Sequence, residues 1–387
     1  MPGPIGRMRR RKRVNRYSPL RRFLTSKQFG GYAQEARRVG GYAADEPSKE
    51  VRRFESKFES LLDRLAPNEN VKRIALGQRR KVAQRLRALR KQMPGESPIF
   101  YYLLESDYIK EIEQTLEKNG VRVPEVVFGT LPKGELDGAT YQMEDGKYMV
   151  ALSWGVFGIV HRIANIAISL VPFEISNGQT RFDTNLALLD ERIAKSKRAK
   201  SALVDTLLSY LSFGNADRAP VMLVKGSRLQ LSNLLSSTAC LFLVAHEYAH
   251  IVWKHKPLKA SGSTPPDSMR TVRWSKKCEE EADLLAMEIT LGANSERYKS
   301  LALSYVGIEL LFACMELLER ATGRQSLDHP AARYRRLLTR SLLAHYYGEQ
   351  AEVALSMGDL VWHTVMALWE EIRPGFQVTT SSMRGSQ

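Results

Sequence analysis

The sequence predicts a predominantly helical α+β fold, with a small sheet or hairpin ahead of one long apolar helix. Three observations predict it. Alternating apolar stretches flank an Asp-Gly pair between residues 121 and 152, and nearly everything after Ser153 carries helical patterning. No internal repeat interrupts that order, so strands precede a helical array and do not alternate with it. The chain has 387 residues, 43% of them hydrophobic and 26% charged, which suits a soluble globular protein with a sizeable core.

Residues 1–48 read as a basic flexible arm. Arg9-Arg10-Arg11-Lys12-Arg13 is followed by Gly30-Gly31 and Gly40-Gly41, with no apolar periodicity. Residues 49–98 read as a basic helical hairpin. Val51, Phe54, Phe58, Leu61, Leu62 and Leu65 form one stripe, a second helix runs from about Val71 to Met93, and Pro94-Gly95 ends it. The net charge of +16 is concentrated here: residues 1–91 hold 26 Lys+Arg against 8 Asp+Glu, and the remainder holds 32 against 34. Such a surface suits a nucleic acid or another anionic complex, or it is a solvated face packed on the main domain.

The main domain is expected over residues 99–372, with a disordered tail at 373–387. Ile99 to Lys118 reads as a helix and Val121 to Phe128 as a strand. Ala139 to Met143 and Tyr148 to Leu152 flank Glu144-Asp145-Gly146-Lys147, a hairpin signature. A short strand is expected at Val221 to Val224.

Three cysteines without CxxC spacing argue against a disulfide framework and for a reducing compartment, most simply the cytoplasm. The basic N-terminus has no apolar stretch after it, so a secretory signal is not expected. The apolar stretches Val156 to Val171 and Leu234 to Trp253 contain charged or polar residues near their middles. They read as buried core helices and not as membrane spans.

The second of these stretches contains His246-Glu247-Tyr-Ala-His250. Residues four apart share a helix face, so His246 and His250 can aim two imidazoles at one point. Glu247 is adjacent, able to reach a water at the metal without being a ligand. Two nitrogen ligands, a third ligand from elsewhere and one open position are what a hydrolytic zinc site needs. Ser232 is the expected N-cap of this helix, and Lys254-His255-Lys256-Pro257 its end.

The extended motif HExxHxxGxxH does not apply, because Trp253 and Lys256 occupy its further positions. His255, five residues beyond His250, lies about 140° round the helix and does not easily join the same metal. The better third ligand is Glu279, in Cys278-Glu279-Glu280-Glu281-Ala282-Asp283. Asp283, four residues on, can accept a hydrogen bond from a ligand histidine and fix its tautomer. Cys278 reads as an ordinary buried thiol.

HEYAH and EEEAD together resemble the gluzincin peptidases of the HtpX and CAAX-prenyl-protease family, which pair HExxH with ExxAD; the zincin-like fold is part of that resemblance. His329-Pro330 with Arg335 is similar to that family's segment for substrate carbonyl and oxyanion, which implies that role for His329 and Arg335. The spacing also resembles the ImmA/IrrE regulatory peptidases and the Lit-type phage-exclusion peptidases. The likeness implies a Zn2+-dependent endopeptidase acting on a protein or peptide substrate, with a regulatory or phage-defence role; the transmembrane helices of that family's membrane-bound members are not evident in this sequence. The rival is a non-catalytic protein with structural zinc and a nucleic-acid-binding arm. A structural site is normally closed by four protein ligands, and only three are found.

Overall fold

The structure, a computed structural model, describes residue 84 and residues 108–384, apart from 123–124, 132–133, 135, 143–146, 177–178, 217, 257–269, 272–273, 299 and 324–328. The expected basic arm and, but for residue 84, the expected helical hairpin lie outside the described residues. So does the anionic contact assigned to them.

The chain enters on helix α1 (Lys110–Lys118). Gly120, at φ 70°, closes it: the Val121 amide returns to the Leu116 carbonyl and the Gly120 amide to that of Glu117. This left-handed cap consumes Val121. The first strand, β1 (Val126–Leu131), therefore begins later than the apolar pattern predicted. β2 (Gly138–Gln142) and β3 (Tyr148–Ser153) form the antiparallel hairpin expected there, with Thr140 opposite Val150. β1 lies parallel to β3 on its far side, and the two-residue β6 (Arg270–Thr271) pairs with the end of β2, giving the order β1-β3-β2-β6.

From Ser153 the structure is mostly helical, as patterning predicted. α2 (Trp154–Leu170) is buried on nearly every side. Its polar residues are satisfied: Arg162 donates to the Ala216 carbonyl, and Asn165 accepts from the Ser232 hydroxyl. A second hairpin, β4 (Phe173–Ser176) with β5 (Gln179–Phe182), was not predicted, although the Asn177-Gly178 pair is a hairpin signal. Residues 221–224 form no strand.

α3 (Leu186–Lys195) and α4 (Lys197–Phe213) start on Asn185 and Ser196, whose side chains accept amides of the first turn. α5 (Ser227–Val252) is the long apolar helix. It starts at Gly226, whose φ of 55° suits glycine, and not at Ser232, which lies inside the helix bonded to Asn165.

α6 (Lys276–Tyr298), α7 (Leu301–Thr322), α8 (Ala332–Tyr347) and α9 (Ala351–Arg384) complete the array. α9 continues past residue 372, the expected end of the domain, with Pro374 within it. α5 is the axis of the core: α2, α6 and α7 pack on it, and β2 and β3 meet it beside the motif. Gly307 of α7 permits close approach, since a Cβ there would lie 2.4 Å from the Thr238 Cβ. α5 and α7 are long and apolar enough to cross a membrane, and most of each apolar window is buried within the fold.

Candidate active site

The HExxH residues lie in the last two turns of α5, where Phe242, Val244, Ala245, Tyr248 and Ala249 are all buried. Polar groups in such surroundings need partners. α6, packed along α5, brings Glu279 and Asp283 opposite them, one helical turn apart on one face. His246, Glu247, His250, Glu279 and Asp283 are each less than 5% exposed.

His246 Nε2 lies 3.1 Å from Glu279 Oε2 and 3.3 Å from His250 Nε2, and His250 Nε2 lies 3.6 Å from Glu279 Oε1. These separations suit a small ion. Ligand atoms about 2.0–2.1 Å from zinc at tetrahedral corners are about 3.3–3.4 Å apart. His246, Glu279 and His329 likewise form a group that could hold a metal ion. His329, half-buried at the start of α8, has Nδ1 at 2.6 Å from Glu279 Oε2.

On the far side of His246, Nδ1 is 2.9 Å from Asp283 Oδ1. Arg335 of α8 then grips that aspartate with two bonds, Nε to Oδ2 at 2.7 Å and Nη2 to Oδ1 at 2.6 Å. Burial opposes the Asp283 charge, but Arg335 and His246 outweigh it and hold the carboxyl down at about 2. Glu279 is also held below the usual carboxylate range: burial raises it, and its bonds to His246 and His329 prevail. His250 is depressed to about 2 by burial and by neighbouring His246, so it is a neutral imidazole. Burial pulls His246 down as well, yet Asp283 and Glu279 lift it to about 9, so an incoming metal must displace a proton there.

Glu247 points the other way, toward the sheet. Its Oε2 accepts the Thr140 hydroxyl at 2.7 Å, and Gly138 of β2 packs against its side chain. Burial pushes the Glu247 carboxyl up, against the pull of His246 and Thr140. A carboxylate raised toward neutrality is a better proton acceptor.

A cavity of about 310 Å³ opens on these groups. Its wall is mixed: Asp137, Glu319, Thr322 and Arg335 join His246, Glu247 and His329 as polar groups, and Leu136, Leu243, Met315 and Leu318 form an apolar part.

Each residue singled out in the sequence thus lies in one cluster. Cys278, read from the sequence as a buried thiol, is only half-buried, and two placements at the cluster differ from expectation in kind. Arg335 reaches the cavity wall, but its guanidinium is committed to Asp283. His255, set aside because a continuing helix would carry it away, lies against His250 because the helix stops at Val252. Thr140 and Trp274 were missed altogether. Trp274 stacks on the His250 ring, with centroids 4.5 Å apart and planes 5° off parallel. Nothing in local spacing marks either: Thr140 comes from a distant strand, and Trp274, just ahead of α6, reaches His250 only through the packing of α6 on α5.

The stretch that builds this cluster is peptidase-like. Residues 190–354 match the model of the family described as Peptidase U49, and that stretch contains the HExxH helix, Glu279, Asp283, His329 and Arg335. No curated protein and no solved structure matches the chain.

Proposed function

We propose that the chain is a zinc-dependent endopeptidase in which His246, His250 and Glu279 hold the metal and Glu247 is the general base. One observation carries the reading. Two imidazole nitrogens and a carboxylate converge at 3.1–3.6 Å beside a buried glutamate that lines an open cavity. The peptidase-family match over residues 190–354 supports it. His250 is preferred to His329 as a ligand because His329 is at hydrogen-bond distance from Glu279 and is half-exposed, whereas His250 is neutral and buried.

Zinc held there supplies Lewis acidity, activating a water and polarising the scissile carbonyl. The remaining work belongs to the chain. Thr140 holds one oxygen of Glu247, leaving the other to take the proton of the attacking water and to deliver it to the leaving amine. Asp283 accepts from His246 Nδ1, which turns Nε2 toward the metal. Arg335 neutralises Asp283, and His329, in the cavity wall, is the group placed to meet the developing oxyanion. The apolar part of the wall, Leu136, Leu243, Met315 and Leu318, favours substrates with an apolar side chain next to the cut bond. The gluzincin resemblance and a regulatory or phage-defence role are consistent with this chemistry.

The test is elemental analysis with a paired activity assay. Wild-type protein should carry one zinc per chain. The His246→Ala, His250→Ala double variant should carry none, and Glu247→Gln should keep zinc but not cleave. A cleaving Glu247→Gln protein, or undiminished zinc in the double variant, refutes the assignment.

A further inference from the structure

The end of α5 brings back a residue that the helix should have carried away. Trp253, the last residue before the chain leaves the helix, is followed by Lys254 at φ 53°, the one positive φ among the described non-glycine residues. The Lys254 amide returns to the Ile251 carbonyl and the His255 amide to the His250 carbonyl, at 3.2 and 3.0 Å. This is the paired-bond, left-handed helix ending usually built on glycine. A lysine there adopts a conformation that costs on the order of 1 kcal/mol. Its consequence is that His255 folds back beneath His250, with the two Nδ1 atoms 2.9 Å apart.

The His255 side chain is 6% exposed, and its surroundings are specific. Trp253 meets its ring edge-on at a 5.9 Å centroid distance, and Trp274, stacked on His250, lies 6.1 Å away. Its Nε2 sits 3.2 Å from Glu281 Oε2, an ion-pair distance. Two Nδ1 atoms at 2.9 Å need one proton between them. A histidine that offers Nε2 to a metal carries its proton on Nδ1, so His250 is the donor and His255 the acceptor.

We propose that His255 is a positioning residue for the metal centre: it accepts the Nδ1–H of His250, fixing that ring's tautomer and the aim of its Nε2, as Asp283 does for His246. The inference rests on the reading of His250 as a ligand. Each histidine of the motif then has its own acceptor, one a carboxylate from α6 and the other an imidazole returned by the turn that ends α5. Glu281 faces the outer nitrogen of His255, so its charge favours a proton there and leaves Nδ1 free to accept. His255, Cys278 and Glu281 are also near enough to hold an ion of their own. An ion on His255 Nε2 would force the proton onto its Nδ1 and thereby remove the acceptor that His250 needs.

Zinc affinity of the full chain, measured by competition with a chromophoric chelator, tests this. His255→Phe keeps a ring and removes the acceptor; the dissociation constant should rise about 10- to 100-fold. His255→Asn places an amide oxygen near the lost Nδ1 and should restore affinity to within a few-fold of wild type. Thermal unfolding of the metal-free proteins should not separate the two variants in the same order. In the wild-type protein, nitrogen NMR of labelled histidines should show zinc-loaded His250 protonated at Nδ1 and His255 protonated at Nε2, which needs no variant to fold. Wild-type affinity in His255→Phe, equal losses in both variants, or a second zinc removed by Cys278→Ser would overturn the inference. Wild-type protein that binds no zinc, or binding unaffected by His250→Ala, would instead bring down the ligand assignment itself.

Discussion

Replacing Arg335 with methionine removes the only charge partner that comes to Asp283 from α8, and leaves a carboxylate with 0% exposure. Arg335 is itself 4% exposed, so solvent cannot take its place. Breaking a buried ion pair from one side costs about 3–5 kcal/mol, a large share of the roughly 5–15 kcal/mol that separates folded from unfolded protein. Urea unfolding of the metal-free protein should register this as a lower midpoint. The deficit should depend on pH. In the wild type the Asp283 carboxyl is held down at about 2, so its contribution is present above the unfolded value near 4 and lost as pH falls through 2. Without Arg335 only His246 still opposes burial, so that carboxyl should rise, and the gap between variant and wild type should narrow as pH falls from neutral. Adding Asp283→Leu should recover most of the stability, because replacing both partners with apolar side chains is often neutral or stabilising. It should not recover zinc affinity, since His246 Nδ1 has then lost its acceptor, a defect of about 10- to 100-fold. A single variant that loses less than about 1 kcal/mol would refute the argument that this pair is mutually dependent. Wild-type zinc affinity in the double variant would show that Asp283 and Arg335 do not orient His246.

Three further outcomes are expected. Thr140→Val removes a bond that holds the Glu247 carboxyl down, so its acidity should weaken further; the acid limb of kcat/KM on a peptide should move to higher pH while zinc is retained, and an unmoved limb would separate Thr140 from the base. Gly307→Ala places a methyl 2.4 Å from Thr238 Cβ and 2.7 Å from the Leu235 carbonyl, where the helix backbone cannot yield, so it should destabilise by about 1–3 kcal/mol in urea; an unchanged midpoint would mean that α5 and α7 do not meet this closely. Cys240 and Cys314 are buried, and burial pushes the Cys240 thiol up to about 12 and raises that of Cys314 as well, so mass spectrometry after brief alkylation at neutral pH should find Cys278 labelled and these two unlabelled until the protein is unfolded.

Much of the site was legible before any fold was known, because helices translate spacing into geometry. His246 and His250 are four apart, as are Glu279 and Asp283, and that interval places each pair on one face whatever the rest of the chain does. The Asp-Gly hairpin and the long buried helix were legible for similar local reasons. Spacing could not say where α5 would stop. A residue five positions past His250 points away if the helix continues and folds back if a left-handed Lys254 ends it, so His255 was decided by one backbone angle. Nor could the sequence assign the Arg335 charge. Its motif suggested a group facing substrate, whereas packing of α8 against α6 commits its guanidinium to Asp283. Thr140 meets the site from the sheet and Trp274 from just ahead of α6, and contacts between separate elements carry no periodicity that a sequence can display. The sequence by itself determined which chemistry this protein can hold, because ligand type and helical interval are local. The tertiary structure alone decided which groups hold those side chains in place, because that depends on where helices end and on which neighbours they meet.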